Sequence, residues 1–284
     1  MLFRSAALGP EWMKRKLLPE ILGGEKISAL AITEPSGGSD VANLKTTARR
    51  EGDHYVVNGS KMFITSGMRA DYYTVAVRTG GPGAGGVSLL LIEREREGFA
   101  RTKLKKMGWW ASDTAQLFFD NVRVPVDNLI GPENKGFIGI MLNFNQERLG
   151  MSAGAWGYAK VCLDEAIAYA RERHTFGKPL IANQVVRHRL VDMAMRINAV
   201  QSTLELLAYR VGQGEKPVAE ICMLKNLATS TMEYCANEAM QIFGGAGYLR
   251  GAKVERIYRE TKVMSIGGGS VEIMKDLAAR QMGL

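Results

Sequence analysis

The sequence predicts an α+β chain: a short helical lead over residues 1–28, a β domain over 29–130 and a helical bundle over 131–284. Three observations predict it. Turn residues recur at short spacing between apolar runs up to about residue 130, which is the pattern of β-structure. Beyond that point apolar residues recur at spacings of three and four, the stripe of a helix buried on one side. The length, 284 residues, is enough to bury a sizeable core as one large domain or two.

Each element follows in order. Glu11-Trp12-Met13-Lys14-Arg15-Lys16-Leu17-Leu18 reads as a helix, with Pro10 suited to its start and Gly23-Gly24 ending it. His54–Val57 and Lys61–Thr65 flank Asn58-Gly59, and the pattern predicts a tight hairpin, because Asn and Gly tolerate the positive φ such a turn needs. Tyr73–Arg78, Val87–Ile92 and Gln116–Phe119 are further strand candidates, with Gly80–Gly86 a loop between two of them. A long helix is expected from about Gly136 to Arg173. Gly150, Ser152, Ala153, Gly154, Ala155 and Gly157 in its middle suggest close approach of another helix or a ligand. Leu190, Met193, Ile197, Val200, Leu204 and Leu207 form one bundle stripe, and Ile221, Leu224, Ala228, Thr231 and Cys235 another.

Composition excludes several classes. Lys and Arg number 37 against 29 Asp and Glu, a formal charge of +8, yet they are scattered and no DNA-binding motif accompanies them. That favours a solvated surface with some preference for anionic ligands, not a nucleic-acid partner. Cys162, Cys222 and Cys235 are far apart and odd in number, so buried thiols fit better than disulfides or a metal site. His54, His174 and His188 do not make a metal cluster either. No apolar run reaches membrane-spanning length, and Met1-Leu2-Phe3-Arg4 lacks the apolar core of a signal peptide.

Five motifs carry the functional reading: Ile32-Thr33-Glu34-Pro35-Ser36-Gly37-Gly38-Ser39-Asp40, Lys61-Met62-Phe63-Ile64-Thr65, Arg173-His174-Thr175-Phe176-Gly177, Gln241-Ile242-Phe243-Gly244-Gly245-Ala246-Gly247-Tyr248 and Ile266-Gly267-Gly268-Gly269-Ser270. Alone, the first would be a polar loop leaving a strand. Together and in order they resemble the acyl-CoA dehydrogenase family, from about Glu11 to the C-terminus. The resemblance implies a β-barrel-like middle domain, a C-terminal four-helix bundle, bound FAD, and a homotetramer or homodimer passing electrons to an electron-transferring flavoprotein. By that resemblance the Thr33 and Ser39 region, Phe63 and Thr65 line the flavin, and Ser39 also borders the substrate. Arg173, Phe176, Gln184, Gln241, Gly244 and Gly245 would contact FAD from a neighbouring subunit, with Ser270 also on the cofactor side. A pyrophosphate wants Arg and close backbone N–H groups, so the residue types fit. The plain alternatives are a core aromatic for Phe63 and a helix-terminal cation for Arg173.

Removing an α-proton requires a carboxylate in a dry pocket. Many members of the family carry that Glu in the loop before the last helix, where this chain has Gly268. The isovaleryl-CoA and long-chain enzymes carry it on the long helix, and the matching stretch here is Asn145-Gln146-Glu147-Arg148-Leu149. Glu147 stands 29 residues before Phe176, the separation expected in that branch. The resemblance therefore implies Glu147 as base, with the flavin N5 taking the β-hydride and a trans-2-enoyl-CoA leaving. The alternative is a solvated helix Glu. Arg148 would meet the CoA end of the substrate, unless it makes a surface ion pair of little worth. Asn145 stands where some relatives have Asp, so no charged contact is carried over. The Gly268 backbone N–H would polarise the thioester carbonyl, as an oxyanion hole does.

Other readings on the same fold are an acyl-CoA oxidase or a flavin monooxygenase. Family members also carry a further helical region of about a hundred residues before the segment where this chain opens, a common small-domain length. Residues 1–28 then read as its remnant. The chain is expected to be a fragment, a late-starting gene product, a subunit whose missing wall another chain supplies, or a truncated non-catalytic subunit. A bacterial cytoplasmic location is expected, or the mitochondrial matrix if a transit segment precedes residue 1.

Overall fold

The computed structural model describes residues 8–284. The reading drawn from Met1–Arg4 lies outside the described residues. The chain forms two compact units, one running to Asn143 and the other from Phe144 to Leu284.

In the first unit, helix α1 (Glu11–Leu22) follows Pro10 and ends at Gly23, with Met13 and Leu17 buried. Seven strands follow: β1 (Ser28–Ala31), β2 (Thr47–Glu51), β3 (His54–Thr65), β4 (Tyr72–Arg78), β5 (Val87–Glu93), β6 (Phe99–Lys103) and β7 (Thr114–Pro125). They make one mixed sheet in the order β1-β4-β2-β3-β7-β6, with β5 on the remaining edge of β4. β5 pairs β4 along its whole length. The other edge of β4 is therefore shared by β1, parallel at its start, and β2, parallel at Arg78. This branching bends the sheet round a core of Tyr55, Tyr73, Val75, Leu90, Leu117 and Val122. β4 and β5 are buried at nearly every position, as strands covered on both faces are.

Asn58-Gly59 is not a hairpin turn. β3 runs unbroken through it, and the tight turn lies earlier, where Glu51 faces His54 across Gly52-Asp53. Gly59 instead sits at a register shift against β7 with φ +144°, and a Cβ there would lie 2.7 Å from the Thr46 Cα. Asn58 pairs across the sheet, its Oδ1 accepting from the Asn121 N–H at 2.9 Å. The dipeptide serves a bulge and a close backbone approach, uses open to the same positive-φ residues.

The second unit is helical. Helix α2 (Gly136–Glu172), which lies in this unit from Phe144 onward, leads into a two-strand hairpin, β8 (His174–Thr175) and β9 (Lys178–Pro179). Then come α3 (Gln184–Gly212), α4 (Val218–Phe243), α5 (Lys253–Ile266) and α6 (Val271–Met282). α4 packs against α3, α5 and α6, and both stripes read from the sequence face inward. On α2, Ser152, Ala155, Ala159, Cys162 and Ala166 form a narrow buried stripe. Among the described residues no helix is long and apolar enough to cross a membrane, no His/Cys/Asp/Glu group could hold a metal, and the three cysteines are buried free thiols.

Candidate active site

In the first unit, two of the motifs are held side by side. The Met62 N–H donates to the Thr33 carbonyl at 2.8 Å. Beneath them lies a buried ion pair: the Lys61 ammonium donates to a Glu34 oxygen at 2.8 Å and to the Ile32 carbonyl at 3.0 Å. The Glu34 carboxylate also accepts the N–H groups of Lys45 at 2.6 Å and Thr46 at 2.9 Å. Burial pushes the Glu34 carboxyl up, but the Lys61 ammonium and these donors outweigh it and leave it below the usual range. Burial pushes the Lys61 ammonium down, against the pull of Glu34. Every acceptor is filled, which is what makes such a pair tolerable in a core.

The ion pair shapes the end of β3. Pairing with β7 breaks between Lys61 and Ile64, and in that bulge Phe63 takes φ +61°, with its side chain 68% exposed. A bulky residue in the left-handed region costs of order 1–3 kcal/mol and persists only where its surroundings enforce it. Phe63 is thus no core aromatic. Thr65 is exposed, and the turn after it is tied down by Asp113, which accepts the Met68 N–H at 2.6 Å and pairs with Arg69 at 2.7 Å. Thr33 is half-buried, and Ser39 is exposed on the loop after the ion pair.

In the second unit, Glu147, Arg148, Gly268 and Ser270 gather around the glycine loop between α5 and α6. Arg148 is 4% exposed, and its Nε donates to the Gly268 carbonyl at 3.1 Å. Its Nη1 donates to the Asn145 side chain at 3.1 Å, and the Phe144 ring centroid lies 5.5 Å from its guanidinium carbon. It is not a surface ion pair. Ser270 caps α6, its Oγ accepting the Ile273 N–H at 3.4 Å. Gly268 and Gly269 have φ of +68° and +105°. A Cβ on Gly268 would lie 2.6 Å from the Met151 sulfur, and one on Gly269 would lie 2.4 Å from the Met274 methyl. Met151 is one turn beyond half-buried Glu147 on α2. The same face carries exposed Gly150 and Gly154, where a Cβ would meet nothing closer than the Met264 methyl at 3.8 Å. That face of the small-residue cluster is open, while the opposite stripe is packed.

Lys225 is the residue that the sequence reading missed. Fully buried on α4, it donates to the Gly269 carbonyl at 2.7 Å and the Ser265 carbonyl at 3.3 Å. The available signal was a lysine on the buried face itself, four residues after Ile221 and three before Ala228.

The other expected residues gather elsewhere. Tyr169 near the end of α2 stacks on Phe243 at the end of α4, centroids 4.3 Å apart. This sets the β8–β9 hairpin, with exposed Arg173 and Phe176, at the same end of the unit as Gln241, Gly244 and Gly245. Gln184 opens α3 close by, since the Leu180 N–H donates to the Arg173 carbonyl at 2.7 Å. Phe176 is entirely exposed at φ +52°, and nothing lies within 4 Å of a Cβ on Gly244 or Gly245. Along α2, Glu147 and Glu172 are separated by about 38 Å at the helical rise per residue. The expected flavin contacts at this end and the carboxylate cannot meet one ligand through a single copy of α2.

Comparison with known proteins decides the family. Residues 29–122 match the acyl-CoA dehydrogenase middle domain, and residues 134–283 match the acyl-CoA dehydrogenase C-terminal domain. The chain belongs to the acyl-CoA dehydrogenase family. It is 40% identical to an acyl-CoA dehydrogenase of Alternaria alternata, over 96% of this chain and 66% of that protein. It is 36% identical to the mitochondrial isobutyryl-CoA dehydrogenase of Bos taurus, over 96% of this chain and again 66% of the relative. The solved acyl-CoA dehydrogenase of Geobacillus kaustophilus superposes with a TM-score of 0.97 at 41% identity, covering 99% of this chain and 75% of that one. The chain thus spans about two thirds of the length of these curated relatives. The α+β architecture, a sheet domain followed by a helical domain, is that of the family.

Proposed function

We propose that this chain is the middle and C-terminal part of an FAD-dependent acyl-CoA dehydrogenase in which Glu147 removes the α-proton of the thioester. The observation that carries the reading is the crowding at Gly268. Gly268 sits at positive φ with the Met151 side chain packed where its Cβ would be, so the loop carries no carboxylate, while Glu147 stands one turn before Met151. The open face at Gly150 and Gly154 gives an acyl chain a surface to lie along. Among the described residues none accepts from the Gly268 or Gly269 amide N–H. Two such donors, fixed in a glycine loop, suit the oxygen of a thioester as negative charge grows on it.

The residues present fit FAD. Thr33, Ser39, Phe63 and Thr65 would line the flavin from the middle domain, and Ser270 would be a cofactor contact of the helical domain. Arg173, Phe176, Gln184, Gln241, Gly244 and Gly245 would reach the cofactor of a second copy, since open space at the two glycines lets a diphosphate approach the backbone. When bound, FAD supplies the two-electron acceptor for the hydrogen leaving the β-carbon. The physiological acceptor beyond it would be an electron-transferring flavoprotein, and the assembly a homodimer or homotetramer.

Anaerobic mixing of the FAD-loaded protein with a panel of acyl-CoA thioesters tests this. Flavin absorbance should bleach with one class of acyl chain, and Glu147→Gln should bind FAD and acyl-CoA but bleach at least about 10³-fold more slowly, as expected on losing a general base. Full-rate bleaching by that variant sinks the assignment of the base. Oxygen uptake with peroxide release at the turnover rate would favour an oxidase instead.

A further inference from the structure

The glycine loop between α5 and α6 is gripped from two sides by buried cations. Arg148, from α2, takes the Gly268 carbonyl at 3.1 Å; Lys225, from α4, takes the next carbonyl, Gly269, at 2.7 Å. The loop's first amide is also spent, since the Gly267 N–H donates to the Val263 carbonyl at 2.8 Å. The peptide group is planar and trans, so each N–H points opposite to the carbonyl it shares a plane with. Holding the Gly268 carbonyl on Arg148 turns the Gly269 N–H away from that guanidinium. Holding the Gly269 carbonyl on Lys225 turns the Ser270 N–H away from the ammonium. Glycine at positive φ has several wells of similar energy, so without the two grips this loop would sample many orientations.

We propose that Lys225 is a positioning residue for the proposed reaction: it holds the peptide plane after Gly269 while Arg148 holds the plane before it, and together they fix the Gly269 N–H as a rigid donor to the thioester oxygen. The proposal rests on the dehydrogenase reading above. A lysine with 0% exposure needs such a reason. A buried ammonium is costly, and an apolar residue at this position would avoid that cost. Its two recorded acceptors are backbone carbonyls, the very groups that set the loop. The ammonium would therefore act through the loop carbonyls it holds.

The charge on Lys225 is itself titratable near the working range. Burial pushes its pKa down to about 8, and neighbouring Arg148 from α2 pushes the same way, while Cys222 on its own helix and Glu272 on α6 pull it back up. Cys222 is held up by burial, and Arg148 stays charged throughout, so Lys225 is the member of the group whose charge changes first as pH rises. Loss of that charge loosens the grip on the Gly269 carbonyl. The α-proton step should therefore weaken as pH climbs through about 8.

The test separates proton removal from hydride loss. The FAD-loaded protein is mixed with 3,3-dimethylbutyryl-CoA, which has α-hydrogens and no β-hydrogen, and α-hydrogen exchange with deuterated solvent is followed by NMR. Lys225→Met should slow exchange on the order of 10²-fold, as losing an oxyanion donor does. Its affinity for the thioester should change by less than about threefold, and the alkaline limb near pH 8 should vanish. Amide hydrogen exchange of residues 267–270 should be faster in the variant than in the parent at pH 7. Lys225→Gln, which keeps N–H donors, serves if the Met variant does not fold, and should recover part of both readouts. Unchanged α-exchange with its alkaline limb intact, or unchanged loop amide exchange, overturns the proposal. If the parent protein exchanges no α-hydrogen, the dehydrogenase reading fails instead, and loop amide exchange alone decides whether Lys225 holds the loop.

Discussion

At the scale of single residues, Lys61, Lys225 and Glu34 are buried, and each is tied to a segment that the functional reading uses. Lys61 and Glu34 fix the ends of two motifs, and Lys225 grips a third. Removing one partner of a filled buried pair strands the other, at about 3–5 kcal/mol. Lys61→Met should therefore lower the thermal midpoint far more than the double replacement Lys61→Met with Glu34→Leu, as calorimetry would read. Glu34 is held below its usual range, so its contribution is present above the ordinary carboxylate range and is lost as pH falls through its folded value. Lys225 has the opposite consequence. Its proton is bound more weakly in the folded chain than in the unfolded one, so below pH about 8 burial costs roughly 3 kcal/mol, relieved as pH rises towards 10.5. The alkaline fall in activity would thus come with stability that holds or rises, and a thermal midpoint falling in step with activity over pH 8–9.5 would contradict this. Gly268 is an exacting position: Gly268→Ala combines a positive φ with a 2.6 Å approach to the Met151 sulfur. Loss of turnover should be partly restored by adding Met151→Ala if crowding is the main cause.

At the scale of elements, periodicity was legible and pairing was not. The bundle stripes on α3 and α4 were readable because a helix buries residues that its own sequence spaces regularly. β1, β2 and β6 carry too little alternation to be seen: β6 has no buried residue, and β2 a single one. Asn58-Gly59 shows the limit most clearly. Its positive-φ tolerance was read correctly, but only β7 and the Thr46 backbone decide whether that freedom makes a turn or a bulge, and neither is local. The same holds for the site. The motifs Ile32–Asp40 and Lys61–Thr65 were legible as segments, whereas the Glu34–Lys61 pair that joins them is a tertiary fact. The bulge makes a prediction of its own. Gly59→Ala should destabilise by several kcal/mol, because its Cβ would meet backbone that has no rotamer to yield. A threonine shortened by Thr46→Ala should rescue little of this, since the Thr46 Cα and Cβ, which remain, lie 2.7 and 2.9 Å from the added Cβ.

At the scale of the whole molecule, the expected site residues fall into groups that one copy of the helical unit cannot bring to one ligand. Glu147 and the β8–β9 hairpin sit at opposite ends of a segment of α2 about 38 Å long. Phe176 is fully exposed in a strained conformation at the far end, which is costly unless a second surface receives it. If each reaction centre takes its carboxylate from one copy and its Arg173 hairpin from another, inactive subunits should complement. Glu147→Gln removes the base of its own centre and leaves its hairpin intact; Arg173→Glu spoils the hairpin it lends and leaves its own Glu147 intact. Unfolding and refolding an equal mixture should then produce mixed assemblies in which some centres pair an intact Glu147 with an intact Arg173. In a dimer half of the assemblies are mixed and each has one such centre, so activity should return to about a quarter of the parent value by this symmetry argument. Activity no higher than the mean of the two variants alone would place carboxylate and hairpin in separate roles and remove the need for a second copy.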